Sequence, residues 1–239
     1  METIGLLGGM SWESSAEYYR LINEDVRRRL GGHSCAEVVL VSLDFAEIED
    51  MQRRGAWDEA GAHLARAADR AYRAGAGVIL LCTNTMHKVA EAITSAVPVP
   101  FIHIVDATGE RIADAGHTRV ALLGSRFTMM DGFYQSRLRR FGVEVLVPDE
   151  PDRAIVDDVI YTELTRSIVD PRSRREYQRV ISSLADAGAE AVILGCTEIT
   201  LLIGPGDSSL PVFDTTRIHT EAVVDYALAP LAGTAMDGS

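Results

Sequence analysis

Two short motifs carry the chemistry of this sequence: Leu81-Cys82-Thr83-Asn84-Thr85 and Leu194-Gly195-Cys196-Thr197. Each cysteine follows an apolar run rich in β-branched residues and precedes a stretch of helical spacing, Val89, Ala92 and Ile93 in one case and Ile199, Leu202 and Ile203 in the other. A thiol at a strand end beside a helix N-terminus meets unpaired N–H groups and the positive end of the helix dipole. Both favour the thiolate and lower the thiol pKa from its usual value of about 8.5. A lone free cysteine reads more simply as a small buried hydrophobe. Two cysteines at equivalent places of a duplicated frame read differently, because pseudo-twofold symmetry would face them across one cleft. A thiolate and an opposing thiol can take a proton from one side of a carbon and return one on the other, which is racemisation. Thr83, Asn84, Thr85 and Thr197 add hydroxyl, amide and backbone donors able to hold a carboxylate. The same residue types also cap helices with no ligand present.

Other chemistries find little support. No C-x-x-C or H-E-x-x-H spacing occurs, and the six histidines are scattered, so no metal site is expected. Lys88 is the only lysine among 23 basic residues, leaving one candidate for Schiff-base catalysis. Gly8-Gly9 lacks the G-x-G-x-x-G spacing, so no dinucleotide site is inferred. Cys35 precedes a strand outside the repeat and reads as structural. A net charge of -12 and a pI near 4.9 argue against nucleic-acid or anionic-membrane binding. The N-terminus shows no basic n-region, and no apolar run reaches the roughly 20 residues that span a bilayer. A soluble, cytoplasmic protein is expected.

The elements that must position these motifs form a regular series. Apolar runs at 4–7, 38–43, 78–81, 100–104, 120–123, 143–147, 191–194 and 211–213 read as strands buried on both faces of parallel sheets, with amphipathic helices between them. Ser14-x-x-Glu17 reads as a capping box for a helix whose Tyr18, Leu21, Ile22, Val26 and Leu30 share a face and which Gly31-Gly32 stops. The fold class is therefore α/β. At 239 residues a single (β/α)₈ barrel is possible, but an internal repeat favours two lobes. Ile4-Gly5-Leu6-Leu7-Gly8 matches Val120-Ala121-Leu122-Leu123-Gly124, each followed by an aromatic pair (Tyr18-Tyr19, Phe133-Tyr134). The segments 74–83 and 187–197 match when aligned at Cys-Thr. The expected architecture is two similar doubly wound lobes, each a four-stranded parallel sheet flanked by helices, related by pseudo-twofold symmetry with the active site between them. Residues 1–115 form the first lobe and 116–211 the second. A C-terminal helix at 212–230 packs back onto the first, and 231–239 read as a flexible tail.

The residues at 5–14, 81–88 and 194–199 resemble the aspartate/glutamate racemase superfamily, in its aspartate racemase and broad-specificity amino acid racemase branch. The resemblance runs from about residue 3 to about 228 and includes Phe45-Ala46-Glu47-Ile48-Glu49 and Pro211-Val212-Phe213-Asp214-Thr215. Glu198 stands where cell-wall glutamate racemases carry histidine, which moves the match away from them. The resemblance implies a cofactor-independent two-base mechanism with Cys82 and Cys196 as the catalytic pair, an amino acid substrate, and a homodimer. It places Met10, Asn84, Thr85 and Thr197 around the substrate, with Gln52 and Arg166 as further neighbours. Arg166 stands where relatives often have lysine and would clamp a side-chain carboxylate. Arg53 and Arg54 are weighed for the same task against solvated surface charge. His87 and Glu198 either tune their neighbouring thiols or are satisfied helix polars. The competing readings are a maleate cis–trans isomerase or decarboxylase of the same superfamily, using one cysteine as nucleophile or proton donor, and a binding protein for an acidic metabolite.

Overall fold

The computed structural model describes the backbone of residues 1–234 and the side chains to residue 231. The chain forms two compact units, one of residues 1–103 with the chain from 219 onward, the other of residues 104–218. The first unit holds β1 (Ile4–Gly8), α1 (Trp12–Leu30), β2 (Val38–Ser42), α2 (Phe45–Arg54), α3 (Trp57–Arg73), β3 (Val78–Leu81), α4 (Ala90–Thr94) and β4 (Phe101–Ile102). The second holds α5 (Ile104–Asp114), β5 (Arg119–Gly124), α6 (Arg126–Met130), α7 (Phe133–Leu138), β6 (Glu144–Leu146), α8 (Glu150–Thr162), α9 (Pro171–Asp186), β7 (Ala191–Gly195), β8 (Val212–Asp214) and the first turn of α10 (Thr215–Thr234). The rest of α10 returns to the first unit.

All eight apolar runs are strands, and they form two separate four-stranded parallel sheets rather than one closed barrel. Their orders are β2-β1-β3-β4 and β6-β5-β7-β8, the same order in each unit. Central strands buried on both faces need apolar side chains at every position, which is why β1, β3, β5 and β7 read as unbroken runs. Each buried Leu, Ile or Val contributes about 1.5–3 kcal/mol.

The side-chain alternation of β3 decides where its chemistry points. Val78, Leu80 and Cys82 pack with Tyr18 and Ile22 of α1 and with Val223, Val224 and Ala227 of α10. Ile79 and Leu81 face Leu64, Ala67 and Ala68 of α3 instead. In the second unit Val192 and Leu194 of β7 face Val156 and Ile160 of α8 and Tyr177 and Ile181 of α9, with Cys196 at the edge of that cluster.

Five local expectations are corrected. Helix α1 begins at Trp12 with Ser11 as its N-cap, whose Oγ accepts the Ser14 N–H at 3.2 Å. Glu17 pairs with Arg20 at 2.6 Å rather than closing a capping box. Tyr18, Leu21, Ile22 and Val26 are buried as the spacing requires, but Leu30, in the last turn beside Gly31, is 47% exposed. The unit boundary falls after His103 rather than after 115. Helix α5 is held to the second unit by an Asp106–Arg137 ion pair at 2.5 Å and by Gly109, where a Cβ would lie 2.5 Å from Cδ2 of Phe141. The second unit likewise ends at 218 rather than 211. Residues 231–234 continue α10, and the remainder of the expected tail, 235–239, lies outside the described residues.

Candidate active site in two Cys-Thr turns

In the first unit β1 ends in a tight loop that only glycine permits. Gly9 has φ +88°, and a Cβ there would lie 2.1 Å from the Leu43 carbonyl oxygen. Its N–H donates to Ser15 Oγ at 2.8 Å, and that hydroxyl donates to the Ser11 carbonyl at 3.0 Å. The loop thus closes onto α1 and carries Met10 inward. Met10 is buried with Leu7, Met51 and Met86. Gln52 of α2, also buried, donates from Nε2 to Met86 Sδ at 3.0 Å. Both expected site residues therefore sit in the packed layer next to the turn after β3.

That turn starts at Cys82, whose N–H donates to the Leu7 carbonyl at 2.9 Å, continuing the β1–β3 ladder by one residue. Thr83 is partly exposed, while Asn84 and Thr85 are buried. Residues Thr85–Val89 form a 3₁₀ turn before α4. The Asn84 carbonyl accepts the His87 N–H at 3.1 Å, and the Thr83 carbonyl accepts His87 Nδ1–H at 2.7 Å. Lys88 lies 3.8 Å above the Trp57 ring, a cation–π contact that fixes the turn to α3.

Behind Cys82 lies a cluster of buried rings that sequence reasoning missed. The His87 ring centroid is 4.6 Å from that of His103 and 5.4 Å from that of His219. His219 is fully buried; its Nε2 lies 2.8 Å from the Ile102 carbonyl and its Nδ1 2.9 Å from the Tyr18 hydroxyl. A carbonyl only accepts, so Nε2 carries the proton and Nδ1 accepts from tyrosine. Burial pulls the imidazole pKa down to about 4, against a smaller opposing effect of the Ile102 carbonyl. No local motif announces this cluster, because its members come from α1, the turn after β3, the end of β4 and α10.

In the second unit the turn starts one residue later. Leu7 pairs with Leu81 and Leu123 with Leu194, so Gly195, itself paired with Gly124, occupies the ladder position of Cys82. Cys196 is the next residue along. Alternation then turns the two thiols to opposite faces of their equivalent sheets, Cys82 toward α1 and α10, Cys196 toward α8 and α9. The alignment at Cys-Thr is off by this one residue.

Cys196 keeps partial exposure, and its Sγ–H donates to Glu198 Oε2 at 3.0 Å. Thr197 is buried, accepts from the Thr216 hydroxyl at 3.2 Å, and its carbonyl accepts from the Thr200 hydroxyl at 2.7 Å. Residues Thr197–Leu201 form a 3₁₀ turn. The segment carrying Arg166 is docked beside it, since Leu164 is buried with Ile199 and Leu202. The 3₁₀ turn Leu164–Arg166 leaves the Arg166 side chain exposed.

Neither thiol is shifted toward thiolate. Burial raises the Cys82 pKa well above its ordinary range. Burial also raises that of Cys196, followed by the Glu198 charge, while the Glu198 and Ile199 N–H groups oppose the rise. The expected helix N-termini are 3₁₀ turns of five residues, too short to develop a strong dipole, and desolvation of the charged form outweighs their N–H groups. Arg53 and Arg54 are exposed and each pairs with Asp50 at 2.6 Å, which makes them part of a surface ion network on α2. Cys35, expected to be structural, is exposed. Among the described residues no three His, Cys, Asp or Glu side chains converge on a point suited to a metal ion, and no helix is long and apolar enough to cross a membrane.

This architecture has known counterparts. A crystal structure of a Yersinia pestis protein assigned to the Asp/Glu racemases superposes with a TM-score of 0.90 at 50% identity, covering 95% of this chain and 100% of that one. An aspartate racemase homologue from Pyrococcus horikoshii OT3 superposes with a TM-score of 0.84 at 33% identity, covering 95% and 99%. The broad specificity amino-acid racemase RacX of Bacillus subtilis (strain 168) is 26% identical over 232 residues, 95% of this chain and 98% of that protein. The profile of the Asp/Glu/hydantoin racemases matches residues 7–223, a span that takes in both sheets and both Cys-Thr turns. The chain belongs to the Asp/Glu/hydantoin racemase family.

Proposed function

We propose that this chain is an amino acid racemase that works without an organic cofactor, using Cys82 and Cys196 on opposite faces of the substrate Cα. The observation that carries the reading is the repetition itself. The same Cys-Thr pair closes the same strand of the same sheet order in both units. The relatives named for aspartate and for broad-specificity racemisation support it.

In the proposed step a thiolate removes the α-proton, and the Cα–H electron pair moves toward the substrate carboxylate. The opposing thiol then gives its proton to the other face of Cα. One proton has left the substrate and one has entered, and the two sulfurs have exchanged protonation states. Because burial disfavours either thiolate, the proton of Cys196 must have somewhere to go, and the Glu198 carboxylate 3.0 Å away accepts it. Charge then stays constant within the pair, which avoids creating a second buried anion. Thr83, Asn84, Thr85 and Thr197 hold the α-carboxylate in this reading. Met10 and Gln52 shape the wall beside it, and the exposed Arg166 takes a side-chain carboxylate of aspartate or glutamate. A homodimer and a cytoplasmic location complete the reading.

The complete burial of Cys82 favours one alternative, a reaction that uses Cys196 alone, as a maleate isomerase or decarboxylase would. Chiral chromatography of the common L-amino acids incubated with the protein and no added cofactor decides between them. The proposal expects D-enantiomer to appear from L-aspartate or L-glutamate, with maleate unchanged. Turnover of maleate with every amino acid left intact would overturn it.

A further inference from the structure

Both Cys-Thr turns share a feature that neither the family match nor the sequence motifs assign. In each, the carbonyl of the threonine that follows the cysteine accepts a hydrogen bond from a side chain of the same turn. His87 Nδ1–H holds Thr83 at 2.7 Å, and the Thr200 hydroxyl holds Thr197 at 2.7 Å. This carbonyl belongs to the peptide that begins the turn, so fixing it fixes the direction in which the preceding cysteine leaves its strand. The Thr83 carbonyl lies ahead of the 3₁₀ residues Thr85–Val89 and takes its partner from the imidazole, whereas the Thr197 carbonyl opens the 3₁₀ residues Thr197–Leu201 and the hydroxyl bond adds to that turn.

The two units build the support behind this bond differently. In the second unit the donor is a single partly exposed hydroxyl. In the first, the donor is a buried imidazole packed against the rings of Phe101, His103 and His219. His219 in turn ties α10 to the end of β4 through Ile102 and to α1 through Tyr18. The equivalent tyrosine of the second unit, Tyr134 on α7, is also fully buried and bonds Thr108 of α5. A threonine thus stands where the first unit has a histidine. The ring cluster is an elaboration of the first unit alone, and it converges on the turn that carries the fully enclosed thiol.

We infer that His87 is a positioning residue for Cys82, acting through the Thr83 carbonyl, and that Thr200 has the same role for Cys196. The inference rests on the two-thiol reading above. In that reading each thiol exchanges the α-proton of a different enantiomer, so loss of one anchor impairs one half-reaction more than the other. A purely structural role would depress both alike.

The test measures α-proton exchange of each enantiomer in heavy water for His87→Leu, His87→Asn and Thr200→Val, beside Cys82→Ser and Cys196→Ser as references. Leucine and asparagine are similar in shape, and only asparagine keeps a donor near the Nδ1 position. We expect His87→Leu to slow exchange of the Cys82-dependent enantiomer at least tenfold and the other by less than threefold. His87→Asn should recover most of the loss. Thr200→Val should show the opposite preference and, being nearly isosteric, carries the test if His87→Leu does not fold. Equal slowing of both enantiomers, or no recovery in His87→Asn, overturns the inference while leaving the two-thiol reading intact. Loss of opposite preferences in the two serine references defeats that reading, and the inference with it.

Discussion

The turn after β3 and the turn after β7 carry the same Cys-Thr pair at the carboxyl ends of corresponding strands, yet they stabilise it by contrasting means. Cys82 has no exposed surface and packs with Tyr18, whose hydroxyl meets a His219 imidazole kept uncharged by burial. Cys196 is partly exposed and donates to a buried carboxylate. One extra strand residue, Gly195, separates the two arrangements by turning Cys196 to the other face of its sheet. A duplicated frame can therefore hold two thiols in separate environments, by apolar enclosure in one turn and by a charged partner in the other.

If both thiols are needed despite this difference, each serine variant should lose racemisation by about 10²–10⁴-fold, the usual contribution of one general acid or base. The exposed Cys35 should change to serine within twofold. Chiral chromatography of aspartate turnover reads all three. Full activity in either Cys82→Ser or Cys196→Ser would remove that cysteine from the comparison.

Acid should strike the first unit through His219. Its folded pKa of about 4 lies below the unfolded value of about 6.5, so the unfolded chain binds the proton more readily between these values. Stability from this group is full above about pH 6.5 and is lost as the pH falls toward 4, about 3 kcal/mol in all. Denaturant unfolding at pH 7 and pH 4.5 should show this slope in the parent and a smaller one in His219→Gln. An unchanged slope would show that acid acts elsewhere.

Glu198→Gln sharpens the comparison from the other side. The Glu198 charge raises the Cys196 pKa, so removing it should move the limb of the pH–kcat/KM profile set by Cys196 to lower pH. Losing the proton acceptor should cost turnover roughly tenfold. The limb set by Cys82, which has no carboxylate partner of this kind, should stay in place. Movement of both limbs would mean that the thiols titrate as one coupled system.

The smallest effect belongs to Arg166. Its exposed guanidinium works in screened solvent, so Arg166→Ala should weaken aspartate by about 1 kcal/mol, about fivefold in kcat/KM. A neutral amino acid of similar size should be affected little. Equal losses for both would take Arg166 out of substrate recognition.

The strand series and the two-unit division were legible because parallel strands buried on both faces write themselves as unbroken apolar runs. The boundary at 103 was not, because α5 reads like any connecting helix until Gly109 meets Phe141 and Asp106 meets Arg137. Ser11 and Ser14 both suit an N-cap, and only the chain's exit from β1 chooses between them. The cysteines themselves were plain from their repetition. The direction of their pKa shifts was not, since a strand end before a helical stretch predicts a lowered thiol and only tertiary burial reverses it. Aligning the repeat at Cys-Thr hid the slip at Gly195, because sequence similarity does not record which face of a sheet a residue meets. His219 and Tyr18, 201 positions apart, left no local signal at all.

The central claim is that the two thiols serve opposite faces of one carbon, and α-proton exchange in heavy water tests it most directly. Cys82→Ser and Cys196→Ser are each incubated with L- and with D-aspartate, and deuterium at Cα is followed by proton NMR. Each variant should exchange the α-proton of one enantiomer only, and the two variants should choose opposite enantiomers. Exchange of the same enantiomer by both variants would contradict the account.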